Sequence, residues 1–265
     1  MSDEGGHWYT RQGDPCYEIN GRGVNLRDAR KMALVPSVTT VMNIMAKPAL
    51  TNWLIDQTVL AALTLPRRDG EIEAAYLARI KEDGKAQAKA AADEGSRIHD
   101  ACEKIVKCES FDETYRLHAE AAVAELHRLF PDVNDWIAEK SFAHPSGFGG
   151  KVDLHSPSTG IVVDFKSKDG DFTELDAYGK PKKLAWDQNI QLAAYQVGLQ
   201  LMTSPEDLGG VYGDAIQCAN IFVSRTHPGA VASHVWTPEE VAEGWNTFEA
   251  ALRLWKTVRS YDASY

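Results

Sequence analysis

No run of about 18 consecutive apolar residues occurs in this chain, which leaves no candidate for a membrane-spanning helix. The opening MSDEGG is too acidic and polar for a secretory leader or an Arg-rich transit peptide, so a cytoplasmic protein is expected. Cysteine is scarce. Cys16, Cys102, Cys108 and Cys218 are scattered without CxxC spacing, which excludes a zinc ribbon, a dithiol redox motif and a secreted disulfide framework and leaves reduced, mostly buried thiols. No GxxxxGK[ST] P-loop is present, so any ATP-driven step would belong to another protein. Positive charge is short as well: 28 Lys and Arg face 38 Asp and Glu, a net of −10, which speaks against a broad basic face for a polyanion.

That acidic excess is local. Between Asp93 and Glu139 twelve acids meet five bases, which accounts for −7 of the total, and a solvated helical face explains such a run. Lys180, Lys182 and Lys183 form a small basic spot able to meet phosphate. With 265 residues, 44% of them hydrophobic, the chain is long enough for one large domain or a domain with a helical annex.

The first dozen residues read as loose. Pro36 and Ser37 mark the capped start of an apolar helix, and Trp53, Leu54 and Val59 continue in a second. Residues 74–107, rich in Ala, Glu and Lys, favour a long helix, and an acid-rich helix over 113–130 stops at Pro131. From Trp136 the texture turns to β: AEKSFAH, GGKVDLHS and GIVVDFKSK, separated by Pro, Gly and Ser turns. A loop with Gly170, Gly179 and Pro181 leads to a helix over 184–201. CANIFVSR then reads as a buried strand. TPEEV opens the last helix, with Thr237 as cap, Pro238 at the first position and Glu240 closing a capping box. Helices, three strands, helix, strand, helix make a mixed α/β plan.

Two of the strand segments carry charge where a core strand wants valine. In IVVDFK alternate residues share a face, so Asp164 and Lys166 point one way with Val162, while Ile161, Val163 and Phe165 point the other. If SPSTG turns an antiparallel hairpin centred between Ser158 and Thr159, Asp153 lies opposite Asp164. Carboxylates about 5 Å apart repel unless a cation or a shared proton lies between them. A divalent metal resolves the conflict, and hard carboxylate oxygens suit Mg²⁺ or Mn²⁺. Lys166 beside them could orient or help deprotonate a water and offset charge developing on phosphorus. The plain alternative is a surface hairpin with a solvated salt bridge.

Two further groups sit on helices. Ile98, Ala101, Cys102, Ile105 and Val106 form an apolar stripe, with His99 and Glu103 four apart at its border, where an imidazole can reach a metal or merely support the fold. Leu184, Gln188, Gln191 and Tyr195 recur along one row of the helix over 184–201, placed to contact phosphate or base or simply to face solvent.

His99, Gly150-Lys151-Val152-Asp153, Asp164-Phe165-Lys166 and Gln188/Gln191/Tyr195 follow one another in an order that resembles the PD-(D/E)xK nuclease superfamily, in its RecB-like exonuclease branch. The resemblance spans residues 94–201. PSVTTVM is more weakly similar to phage exonucleases and the mitochondrial genome maintenance exonuclease. It implies a restriction-endonuclease-like αβββαβ core over 93–265 with a mixed central sheet and a C-terminal helix, and an N-terminal helical region, 1–92, packed over the cleft. It further implies metal-dependent hydrolysis of DNA in recombination, repair or replication, in a bacterial or phage-infected cell. His99, Asp153, Asp164 and the Phe165 carbonyl would hold Mg²⁺ or Mn²⁺, and Lys166 would assist the water. Gln188 or Gln191 with Tyr195 would position the strand, and Glu103 and Glu139 would support these ligands or hold a second metal. DNA with a free end is the implied partner, with room for a recombination or replication protein and no membrane. Some relatives hold an iron–sulfur cluster on one upstream and three clustered downstream cysteines; only Cys218 follows the core here, so none is expected. The alternatives are a catalytically silent DNA-binding accessory protein and an endonuclease with an open groove.

Overall fold

The computed structural model describes residues 6–175, 182, 184–200 and 217–265. In chain order its elements are β1 (Trp8–Tyr9), β2 (Glu18–Ile19), β3 (Arg22–Gly23), α1 (Leu26–Met32), β4 (Val35–Pro36), α2 (Val38–Met42), α3 (Pro48–Thr64) and α4 (Glu73–Val106). A 3₁₀ turn, Glu113–Tyr115, leads into α5 (Arg116–Leu129), followed by β5 (Ile137–His144), β6 (Phe148–His155), β7 (Val162–Lys168), α6 (Gln188–Gln200), β8 (Cys218–Ser224), β9 (Val231–Trp236) and α7 (Pro238–Arg259). Among the described residues no helix is long and apolar enough to cross a membrane.

Local chemistry sets the helix starts. Ser37 Oγ accepts from the Thr40 N–H at 2.9 Å and caps α2. Thr237 and Glu240 exchange bonds of 2.9 and 3.3 Å in the capping box that opens α7. Helix α6 starts later than the apolar pattern predicts, at Gln188, whose Oε1 accepts from the Trp186 N–H at 2.8 Å. Leu201, Gly179, Pro181, Lys180 and Lys183 lie outside the described residues.

Strands β5 to β9 form one mixed sheet in sequential order. Neighbours run antiparallel except β7 and β8, which are parallel and need the crossover that α6 supplies. The β6–β7 register, Leu154 opposite Val163 and His155 opposite Val162, is the one the hairpin argument requires. Each face of the sheet carries its own core. Trp8, Val38, Phe142, Phe148, Phe248 and Trp255 belong to the core shared with α6, α7 and the N-terminal elements, while Ile98, Leu126, Phe165 and Ile221 belong to the core under α4 and α5. Helix α6 comes so close to β5 that a Cβ on Gly198 would stand 1.9 Å from the Phe142 ring, so only glycine fits there.

Two expectations need correction. Residues 8 and 9 are not loose: Trp8 and Tyr9 are buried, β1 pairs with β4, and the Trp8 ring meets Trp255 edge-on at 6.1 Å. Tertiary packing, which no local pattern reports, holds them. A second strand, β9, follows β8; its sequence VASHVW is half-exposed and polar in places, as an edge strand is. The residue 92/93 division falls inside α4, which is continuous from Glu73 to Val106.

Candidate active site

Strand β7 delivers the charges as its alternation dictates. Val162 packs in the core on the α6 side and Val163 and Phe165 in the other, so Asp164 and Lys166 face α6. Asp164 is only 1% exposed, and both of its oxygens receive donors. Lys166 Nζ and Gln191 Nε2 donate to Oδ1 at 2.7 and 3.3 Å, and Asn220 Nδ2 of β8 donates to Oδ2 at 2.8 Å. Asn220 Oδ1 in turn accepts from the Trp236 indole N–H of β9 at 2.8 Å. Burial pushes the Asp164 carboxyl up to about 6, against the pull of Lys166. Burial would lower the Lys166 ammonium, but Asp164 and Asp153 outweigh it and raise it, so the group is charged at neutral pH.

Asp153 sits where β6 changes allegiance: Val152 belongs to one core and Leu154 to the other. The β5 position facing it, Glu139, is kinked into the left-handed region at φ 61°. Kinks of this kind re-aim side chains beside functional sites. Asp153 Oδ2 accepts from the Phe165 N–H and faces His99 Nε2, both at 2.8 Å. His99 Nδ1 lies 2.7 Å from Glu103 Oε1, one turn along α4. Burial alone would lower the His99 pKa, but carboxylates at both ring nitrogens hold it up to about 10. The helix reaches the strand because residue 95 has no side chain; a Cβ there would stand 2.4 Å from Ser167 Oγ.

Donor atoms of His99, Glu103 and Asp153 all lie within 4.8 Å of one another. One imidazole nitrogen and two carboxylate oxygens suit a divalent cation, which would replace one of the two imidazolium N–H protons that face Glu103 and Asp153. Asp164, whose burial disfavours its charge, would also gain from a cation beside it. The residues therefore fit a divalent metal. Behind them burial, with the neighbouring Glu139, holds the Glu103 carboxyl above its usual range, and Glu139 is ion-paired to Lys151 and lies 3.6 Å from Lys107.

The structure thus brings together His99, Asp153, Asp164, Lys166, Gln191 and Tyr195, the last accepting from Gln191 Nε2 at 2.8 Å. Phe165 joins through its N–H and through a ring that stands edge-on to His99 at 6.3 Å. Of the two glutamines, Gln191 meets Asp164, while Gln188 turns back to the Trp186 backbone. Asp164 stands outside the His99–Glu103–Asp153 group. Asn220 and Trp236 were not anticipated; the signal for Asn220 was a lone amide in the apolar run CANIFV. All four cysteines are free, with Cys102 and Cys218 buried.

No family model and no curated protein matches this chain. Among solved structures it is similar to the crystal structure of a candidate exonuclease from Eubacterium rectale, with a TM-score of 0.42 and 14% sequence identity over 63% of this chain and 68% of that one.

Proposed function

We propose that this protein is a nuclease that hydrolyses DNA phosphodiester bonds with Mg²⁺ or Mn²⁺, working from a free end in phage or bacterial recombination, repair or replication. The observation that supports this reading is that a helical His99 meets the strand acid Asp153 at 2.8 Å while the Lys166 ammonium meets Asp164 at 2.7 Å on the adjoining strand. In this reading α4 to β8 supply the αβββαβ core of a restriction-endonuclease-like fold, and the helices of residues 1–92 lie over its cleft.

His99, Asp153, Asp164 and the Phe165 carbonyl would hold the cation, with Glu103 at hand, and a cation so held supplies Lewis-acid polarisation of the phosphate and of a bound water. Lys166, charged and anchored by Asp164, acts as a donor: it orients the attacking water and offsets negative charge on the phosphoryl oxygens. Gln191 and Tyr195, bonded to each other, line the same side and position the strand.

End-labelled linear DNA, incubated with Mg²⁺, Mn²⁺ or EDTA, tests the reading. Metal-dependent release of label in short products is expected. Intact DNA under every divalent condition, or cleavage that persists in EDTA, overturns it.

A further inference from the structure

A cavity of about 340 Å³ beside the candidate site is lined by His99, Phe165, Lys166 and Ser167. A second cavity, of about 530 Å³, opens beside it, and Ser167 lines both. Lys166 and Lys168, two residues apart on β7, therefore serve adjoining chambers. The second is walled by Trp53 of α3, by Phe172 and Trp186, and by Lys168, Lys182 and Arg225.

We propose that this groove stacks the unpaired bases of a single DNA strand whose neighbouring phosphodiester lies at Lys166. The proposal rests on the DNA-hydrolysis reading and adds to it the form of the substrate and the residues that select that form.

Two indoles and a phenyl ring lining a surface cavity are an unusual outlay of apolar area. Trp186 is 66% exposed. Flat aromatic faces pair with flat aromatic faces, and every base has one. In a duplex those faces are covered by the bases above and below, so such a groove discriminates for unpaired strands. Phe172 is held at φ 64°, in the left-handed region that a phenylalanine rarely adopts, and strain of this kind concentrates at ligand clamps.

The charges agree with stacking as the main attraction. Arg225 is engaged by Asp169 at 2.8 Å and by the Ala91 carbonyl at 2.8 Å, and Lys182 by Glu174 at 3.1 Å. Lys168 donates to the Leu184 carbonyl at 2.5 Å and lies over the Phe222 ring. Three cations set against Asp169 and Glu174 leave the lining with a single excess positive charge, enough to admit a phosphate but too little to hold a backbone by charge alone.

The test uses the full chain in EDTA, so that no strand is cut, and reads quenching of tryptophan fluorescence by single-stranded oligothymidylate of about a dozen residues. Trp53→Ala and Trp186→Ala should each weaken binding by roughly 5- to 100-fold, while Leu117→Ala, at an exposed position of α5 outside the groove lining, binds like the wild type. A blunt duplex should bind at least tenfold more weakly. Should Trp53→Ala fail to fold, Trp186→Ala, at an exposed position, decides alone. Wild-type affinity in the tryptophan variants, or equal binding of duplex and single strand, overturns the groove and leaves the nuclease reading standing. No binding of either DNA form by the wild type, together with no cleavage, overturns both.

Discussion

The β6–β7 hairpin hides charge. Asp153 and Asp164 are 9% and 1% exposed, and each has a partner within 2.8 Å. The α3–α4 hairpin does the reverse: Leu54, Ile55, Val59, Leu60 and Leu63 of α3 and Leu77 of α4 are all exposed, Leu63 at 78%. Helix α3 folds back along α4, fixed by the Tyr76 hydroxyl on the Leu65 carbonyl at 2.9 Å, and turns apolar side chains outward. Between them the two hairpins show that the stable part of the molecule is the pair of cores on the sheet, where burial follows the ordinary rule. Departures from that rule in either direction mark residues whose identity is set by something besides stability. They also differ in kind. Buried charges demand compensation at once, and so arrive as a network, whereas exposed leucines carry little local cost and can be scattered along a helix.

The largest expected effect falls on the charged hairpin. Asp164→Asn and Lys166→Ala should each lower DNA cleavage by at least about 10²- to 10³-fold with melting temperatures near the wild type, because burial already disfavours the Asp164 charge. Wild-type turnover by either would remove these residues from catalysis. Topology comes next. If the α3–α4 hairpin and the N-terminal elements close a path over the cleft, linear single strands are degraded while circles of the same sequence resist by at least about tenfold; equal rates would make the groove open and the enzyme an endonuclease. His99→Ala should then weaken Mn²⁺ affinity by about 10-fold or more, as followed by calorimetry, and leave DNA binding in EDTA unchanged. An unchanged metal titration would make His99 structural.

The apolar hairpin should respond far less to substitution. Ile55→Lys, at an exposed site, is expected to change stability by no more than about 0.5 kcal/mol, against about 3–5 kcal/mol for Phe142→Ala in the core; denaturant melts compare the two. The smallest effect concerns Glu71 at the α3–α4 connection. Arg79 and the Arg68 N–H hold its carboxyl down to about 2. A lowered acid stabilises the fold above its unfolded pKa, near 4.3, and loses that contribution as pH falls through the folded value. The stability difference between the wild type and Glu71→Gln should therefore be present at pH 6 and vanish between about pH 4 and pH 2; a difference that persists at pH 2 would assign it to something other than charge.

Period and spacing carried the legible part of the fold and site. The two-residue alternation of IVVDFK sorted Asp164 and Lys166 from Val163 and Phe165, the turn SPSTG set the register, and four-residue spacing put His99 beside Glu103. What escaped was held by distant contacts. Trp8 and Tyr9 form only two-residue pairings and owe their burial to β4 and Trp255. Strand β9 has the mixed polarity of an edge, which looks like loop when read alone. Gln188 and Gln191 share one helical row, yet only the three-dimensional path of α6 shows which meets Asp164.

The bond from Trp236 to Asn220 has a direction. An indole N–H can only donate, so the side-chain oxygen of Asn220 must turn toward β9 and its amino group toward β7. That amino group can only donate to Asp164, so Oδ2 is committed as an acceptor and Oδ1, where Lys166 and Gln191 converge, is the oxygen left to exchange partners. A tryptophan on the sheet's outer strand thereby decides which of two chemically equivalent atoms is available at its centre, breaking by a chain of one-way bonds a symmetry that the carboxylate itself cannot break.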